Sequence, residues 1–234
     1  MKEEEKVSKM SQGLIVSCQA LEDEPLHSPY IMAKMALAAK VGGAVGIRAN
    51  SAVDIEAIKA EVDLPVIGIY KKNYGACPVF ITPTMQEVDE IVATGAEIVA
   101  MDGTSRVRPD GTVIAELFPE IRRKYPDQLF MADVATLAEA IAAEKLGFDF
   151  VAPTLFGYTE ETKGKKIADD DFALLRDIVR EVRVARIIAE GNVLTPDIAK
   201  RIQDIGVFAI VVGGAITRPQ LITARFVDVL KGNS

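Results

Sequence analysis

Tryptophan is absent from the 234 residues, histidine occurs once and cysteine twice. With His27 alone there is no Ser/His/Asp triad to assemble and no His-rich metal site. Cys18 and Cys77 lack CxxC spacing and are too few for a disulfide framework, so two reduced thiols are expected. The longest apolar run, residues 207–216, falls far short of the roughly 20 residues that span a bilayer. Residues 1–6 are charged and carry no apolar stretch of the kind that opens a signal peptide, so a cytoplasmic location is expected. Positive charge is also in deficit: 27 Lys+Arg stand against 34 Asp+Glu, a formal net charge of −7. Nothing in that balance neutralises many phosphates, so neither nucleic acid nor an anionic membrane is expected as a partner.

What is present is apolar and regular. A 49% apolar fraction over this length supports a substantial core. Eight short runs rich in Val, Ile, Leu and Ala recur at residues 14–17, 44–48, 66–70, 98–102, 129–133, 148–152, 187–190 and 208–212. They show little polar alternation, as strands buried on both faces of a parallel sheet do. Amphipathic stretches lie between them, at 30–40, 84–93, 113–124, 137–145, 171–182, 196–204 and 220–230. Ser51–Asp54 and Thr136–Glu139 have capping-box spacing, and Thr195-Pro196 puts a cap before a first-turn proline. Gly95, Gly147 and Gly206 each stand between a helix and a strand, where a left-handed cap belongs. The repeated unit predicts an α/β fold, a (βα)8 TIM barrel in a single domain over residues 1–234, opened by a short N-terminal helical segment. A doubly wound open sheet is the alternative, but no GxGxxG follows the first strand.

Catalytic groups of such barrels sit at the C-terminal ends of the strands. Here those ends read Ser17-Cys18-Gln19, Arg48-Ala49-Asn50, Tyr70-Lys71-Lys72, Asp102, Asp133, Thr154, Glu190-Gly191 and Gly213-Gly214. The glycines after the seventh and eighth strands, with Arg218 one turn on, fit a phosphate cradle built from backbone amides. Lys71 and Glu190 stand on opposed strands. That placement suits proton removal from one face of a carbon and return to the other, and it equally suits plain ion pairing with Asp133 or Arg48. Asp102 and Asp133 have no distinctive metal-ligand spacing. Residues 160–171 read as a solvated loop, a candidate lid.

On these residues the chain resembles the bacterial N-acetylmannosamine-6-phosphate 2-epimerases of sialic acid catabolism. The resemblance is carried by residues 16–27, 43–50, 67–71, 81–84, 131–133, 154–159, 188–191 and 212–219. It implies an isomerase that interconverts N-acetyl-D-mannosamine 6-phosphate and N-acetyl-D-glucosamine 6-phosphate at C2, without metal or other cofactor. By the same resemblance Lys71 is the base and Glu190 the acid, exchanging roles with direction. Gln19, Arg48 and Asp133 hold the sugar with its N-acetyl group; Thr154 and Tyr158 also bind substrate; Gly191, Gly213, Gly214 and Arg218 hold the phosphate. A homodimer is implied as well. Asn192 stands where the family more often has Arg, Phe156 where it has Ser, and Val134-Ala135 where it has Ile-Ser. Two rival readings are a pentose-phosphate epimerase or isomerase, whose metal-dependent members need His ligands missing here, and a catalytically silent sugar-phosphate sensor.

Overall fold

The computed structural model of the chain describes residues 2–232, with side chains from Glu5 onward. Eight parallel strands close on themselves: β1 (Leu14–Cys18), β2 (Gly46–Asn50), β3 (Val66–Ile69), β4 (Ile98–Asp102), β5 (Leu129–Asp133), β6 (Phe150–Ala152), β7 (Arg186–Ala189) and β8 (Ala209–Val212). Closure is made where Leu14 to Val16 of β1 register against Ile210 to Val212 of β8. The helices are α1 (Lys2–Ser8), α2 (Pro29–Val41), α3 (Ala52–Glu61), α4 (Met85–Ala93), α5 (Ile114–Lys124), α6 (Leu137–Leu146), α7 (Ala173–Glu181), α8 (Pro196–Ile205) and α9 (Pro219–Leu230). The expected (βα)8 barrel is therefore the fold, with α1 as the N-terminal addition.

Strand alternation divides the core into two compartments. Ile15, Ile67, Ile98, Met131, Phe150, Ile188 and Val211 point into the barrel, where Val7 of α1 and Met10 join them. Their neighbours Val16, Ile47, Val99, Phe130, Val151 and Ile187 point outward against the helices. The same period of two sets the direction of the residues at each strand's upper end. Ile15 puts Ser17 inward, Ile67 and Ile69 put Lys71 inward, Met131 does the same for Asp133, and Ile188 for Glu190.

The sequence's punctuation is visible in the backbone. Thr136 caps α6 with a complete capping box to Glu139, and Thr195 caps α8 by accepting from the Ile198 amide. Gly95, Gly147 and Gly206 all take positive φ, at 70°, 93° and 98°. The expected helix at 171–182 begins later, at Ala173. Asp170, Asp171 and Phe172 instead adopt left-handed φ of 51°, 55° and 63°. That turn drives the Phe172 ring into the outer core, fully buried, with the Arg201 guanidinium 4.7 Å from its centroid. Burial of an aromatic ring of this size offsets the strain.

Outside the strands, Phe118 of α5 stacks on Phe148 at 3.6 Å and meets Phe130 edge-on at 5.5 Å. The three rings tie α5 to β5 and to the turn before β6. Phe118→Ala is expected to destabilise the protein by about 3–5 kcal/mol in urea unfolding, since the closed wall around it leaves little room for collapse.

Candidate active site

The upper end of the barrel opens into a cavity of about 540 Å³, within the range of small-molecule sites. Its polar wall brings together Gln19, Arg48, Lys71, Thr154, Glu190 and Arg218, from six strand ends or the loops beyond them. Tyr158, Gly191, Gly213 and Gly214 line it too. Ten of the eleven residues singled out from the sequence therefore face one space. The eleventh, Asp133, has no exposed surface and lies behind the wall, bonded to two residues that form it.

Arg48 is the centre of this arrangement. Its Nη2 is bonded to Asp133 Oδ2 and its Nη1 to Glu190 Oε2, so one guanidinium bridges two carboxylates. Thr154 Oγ1 donates to Asp133 Oδ1 at 2.7 Å and lies 3.4 Å from Arg48 Nη1. Arg48 is 1% exposed, and its Nε has no hydrogen-bond partner among the described residues. A buried donor left without a partner is uncommon in a folded protein.

Lys71 differs from its surroundings in having no carboxylate partner: its ammonium makes no ion pair or side-chain hydrogen bond among the described residues. Its backbone N–H is pinned by Asn50 Oδ1 at 2.7 Å, and the residue forms an isolated bridge to Ile81. Burial brings its pKa down to about 8; Arg48 and Arg218 push the same way, while Asp133 and Glu24 oppose them. Lys72 turns to the other side, where it pairs with Glu87 at 2.9 Å. Of the two sequence readings for Lys71 and Glu190, ion pairing therefore describes Glu190 and leaves Lys71 free.

The glycine-rich end is equally specific. Gly191 has φ of +114°, a region an L side chain rarely enters. Asn192 follows at φ +53° and lines the cavity, whereas Phe156 does not line it. Thr217 Oγ1 lies 2.7 Å from Ser17 O and 3.1 Å from Gly213 O, tying the β8 loop to β1. Arg218 is held by Glu24: Nε lies 2.7 Å from Oε1 and Nη2 2.9 Å from Oε2.

Four residues of the site were not singled out from the sequence. Ser17 follows from alternation beyond Ile15 and was legible. Arg225 lies seven residues after Arg218, hence on the same face of α9, and it lines the cavity. Glu24 and Thr217 carry no signal of their own. His27 stays outside the cavity, its Nδ1 3.1 Å from Ala20 O, and Asp102 pairs with Arg106 at 2.6 Å. No group of three or more metal-ligating residues occurs among the described residues.

A closed parallel barrel with a charged cavity at its C-terminal rim is the architecture of a small-molecule enzyme. Comparison with known proteins narrows this. The family model described as "Putative N-acetylmannosamine-6-phosphate epimerase" matches residues 32–232, and the chain belongs to that family. A protein of Borreliella burgdorferi (strain ZS7) is 56% identical over 222 residues, covering 95% of this chain and 96% of its own. One from Listeria monocytogenes serotype 4b (strain F2365) is 53% identical over 225 residues, covering 96% and 97%. Both carry the name "Putative N-acetylmannosamine-6-phosphate 2-epimerase". The solved N-acetylmannosamine-6-phosphate 2-epimerase from Clostridium perfringens superposes with a TM-score of 0.89 at 49% identity, covering 95% of each chain. A thiamine phosphate pyrophosphorylase from Pyrococcus furiosus, at TM-score 0.59 and 19% identity over 94% of this chain and 96% of its own, shares the fold.

The lowered pKa of Lys71 makes two expectations measurable. By NMR of labelled lysine, Lys71 should titrate near pH 8, and Glu24→Gln should lower that value by removing a negative neighbour. The folded pKa lies below the ordinary lysine value of 10.5, so the unfolded chain binds more protons between these two values. Burying Lys71 thus costs stability in full below about pH 8, and the cost fades as pH rises toward 10.5. Lys71→Met should accordingly be more stable than wild type at pH 7, by a margin that shrinks through that window.

Proposed function

We propose that the chain interconverts N-acetyl-D-mannosamine 6-phosphate and N-acetyl-D-glucosamine 6-phosphate by proton transfer at C2. The observation that carries this is the disposition of Lys71 and Glu190. They stand beyond the ends of β3 and β7, opposite one another across the cavity, with the unsatisfied Arg48 between. The open-chain sugar has an aldehyde at C1, which acidifies the C2–H bond. One group takes that proton, and the bond's electron pair passes into an enolate whose charge gathers on the C1 oxygen. The other group then delivers a proton to the opposite face of C2, and the configuration inverts. Arg48 supplies the positive field for the enolate oxygen, a kind of donor whose removal costs about 10²–10³ in rate. Asp133 and Thr154 hold Arg48 in place, so Asp133 acts on the sugar through that guanidinium. Gln19 and Tyr158 flank the sugar, and the phosphate lies against Gly191, Gly213, Gly214 and Arg218.

The protonation states suit both directions. With its pKa near 8, Lys71 is about nine-tenths protonated at pH 7, and Glu190 is bonded to Arg48. In this form Glu190 removes the proton and Lys71 returns one. The reverse direction uses the same single proton placed on Glu190, with Lys71 neutral. Because both forms contain one shared proton, kcat/KM in both directions should fall above an apparent pKa near 8. The decisive experiment incubates the protein with N-acetylmannosamine 6-phosphate in D₂O and follows C2–H by NMR. Deuterium incorporation with epimer formation is expected, and it should vanish in Lys71→Ala and Glu190→Gln. Absence of both in the wild type would overturn the reading. We place the reaction in sialic acid catabolism, as the resemblance implies, and in the cytoplasm, as the composition suggests.

A homodimer is proposed with it. No residue of α9 is buried, and Phe226, Val229 and Leu230 are 68%, 74% and 85% exposed. On the barrel wall, Leu14, Ala199, Ile210, Val212 and Ile216 line an uncovered apolar cavity of about 440 Å³. A second copy supplies what both surfaces lack. Sedimentation should give twice the 25.3 kDa chain mass, and Phe226→Glu should shift it toward the monomer.

A further inference from the structure

We propose that Arg225, on the second turn of α9, is the cation that selects phosphorylated over unphosphorylated sugar; the proposal rests on the epimerase reading above. The charges around the cavity are unevenly satisfied. Arg48 is bonded to Asp133 and Glu190, and Arg218 is held in two-point contact with Glu24. Each of these guanidiniums meets an incoming anion with its charge already opposed by a carboxylate. Asn192, next to the cradle, is neutral. Arg225 makes only two hydrogen bonds among the described residues, Nε to Leu221 O and Nη2 to Gly214 O, both at 3.3 Å. Carbonyl oxygens carry no net charge, and at that distance both contacts are weak. Asp228 shares the cavity wall but forms no ion pair with it among the described residues.

Arg225 therefore brings uncompensated positive charge to the glycine whose backbone the phosphate would approach. Its half-buried guanidinium already lies within reach of Gly214. Lys71 is the other unopposed cation, and its task lies at C2. A phosphate dianion needs charge-assisted contacts besides backbone amides, and the positive charge of Arg225 offers one.

The test uses the full-length protein, with inorganic phosphate as a probe independent of turnover. In calorimetric titration, Arg225→Gln should weaken phosphate binding about 10–100-fold, the range for hydrogen bonds to charged groups. With the sugar phosphate, KM should rise by a similar factor while kcat stays within about three-fold, and turnover of the phosphate-free sugar should not change. Arg225→Lys, which keeps the charge, should recover most of the loss and guards against a folding defect in the glutamine variant. Phosphate affinity unchanged in Arg225→Gln, a loss that lysine does not recover, or a fall in kcat at constant KM would each overturn the proposal. Should the wild type fail to turn over the sugar, the epimerase reading falls, while the phosphate titration still decides for or against Arg225.

Discussion

Arg48 occupies the middle of the barrel with almost no contact with solvent, and its charge is tolerable there only because Asp133 and Glu190 meet it. A buried ion of this size costs several kcal/mol to desolvate, and the cost is recovered only when its geometry is nearly complete. Three strands must therefore hold their registers together: β2 delivers Arg48, β5 delivers Asp133, and β7 ends one residue before Glu190. Thr154 closes the set from β6. The barrel fixes these positions by alternation, and the charges in turn penalise any slip that would move one member to the outer face. Fold and site are one constraint seen from two sides.

The same cluster also sets the surroundings of Lys71. Asp133 and Glu190 are both bonded to Arg48, so among the described residues Lys71 is half-buried and without an ion-pair partner. Its proton is loosened by position rather than by an adjacent base, which is how a lysine becomes useful in proton transfer near neutrality.

How much of this was legible depended on whether a feature follows from period or from tertiary meeting. The strands, the Gly caps and the inward turn of Lys71 against the outward turn of Lys72 follow from a period of two and local turn chemistry. So does Ser17. Glu24 was not legible, because its value lies in meeting Arg218 almost two hundred residues away, and an acidic residue in a charged loop gives no sign of that. The late start of α7 was hidden because burying Phe172 outweighs the left-handed strain of three consecutive residues. The resemblance implied Asp133 at the sugar, and its contact with Arg48 was not legible because a strand-end carboxylate reads the same whether it faces ligand or a buried arginine.

Helix α9 raises the opposite problem, since its helical pattern was plain while its packing was not. A barrel helix normally covers its own strand pair, yet α9 buries none of its residues and is tethered near its start by polar contacts, Arg218 and Gln220 to Glu24 and Arg225 to Gly214. Those tethers converge on the glycine-rich end of the cavity. The net charge of −7 does not hinder an anionic ligand there, because exposed charges more than about 10 Å away are largely screened by salt. Local donors decide, and they lie at the glycine-rich rim, in the loops after β7 and β8 and on the early turns of α9.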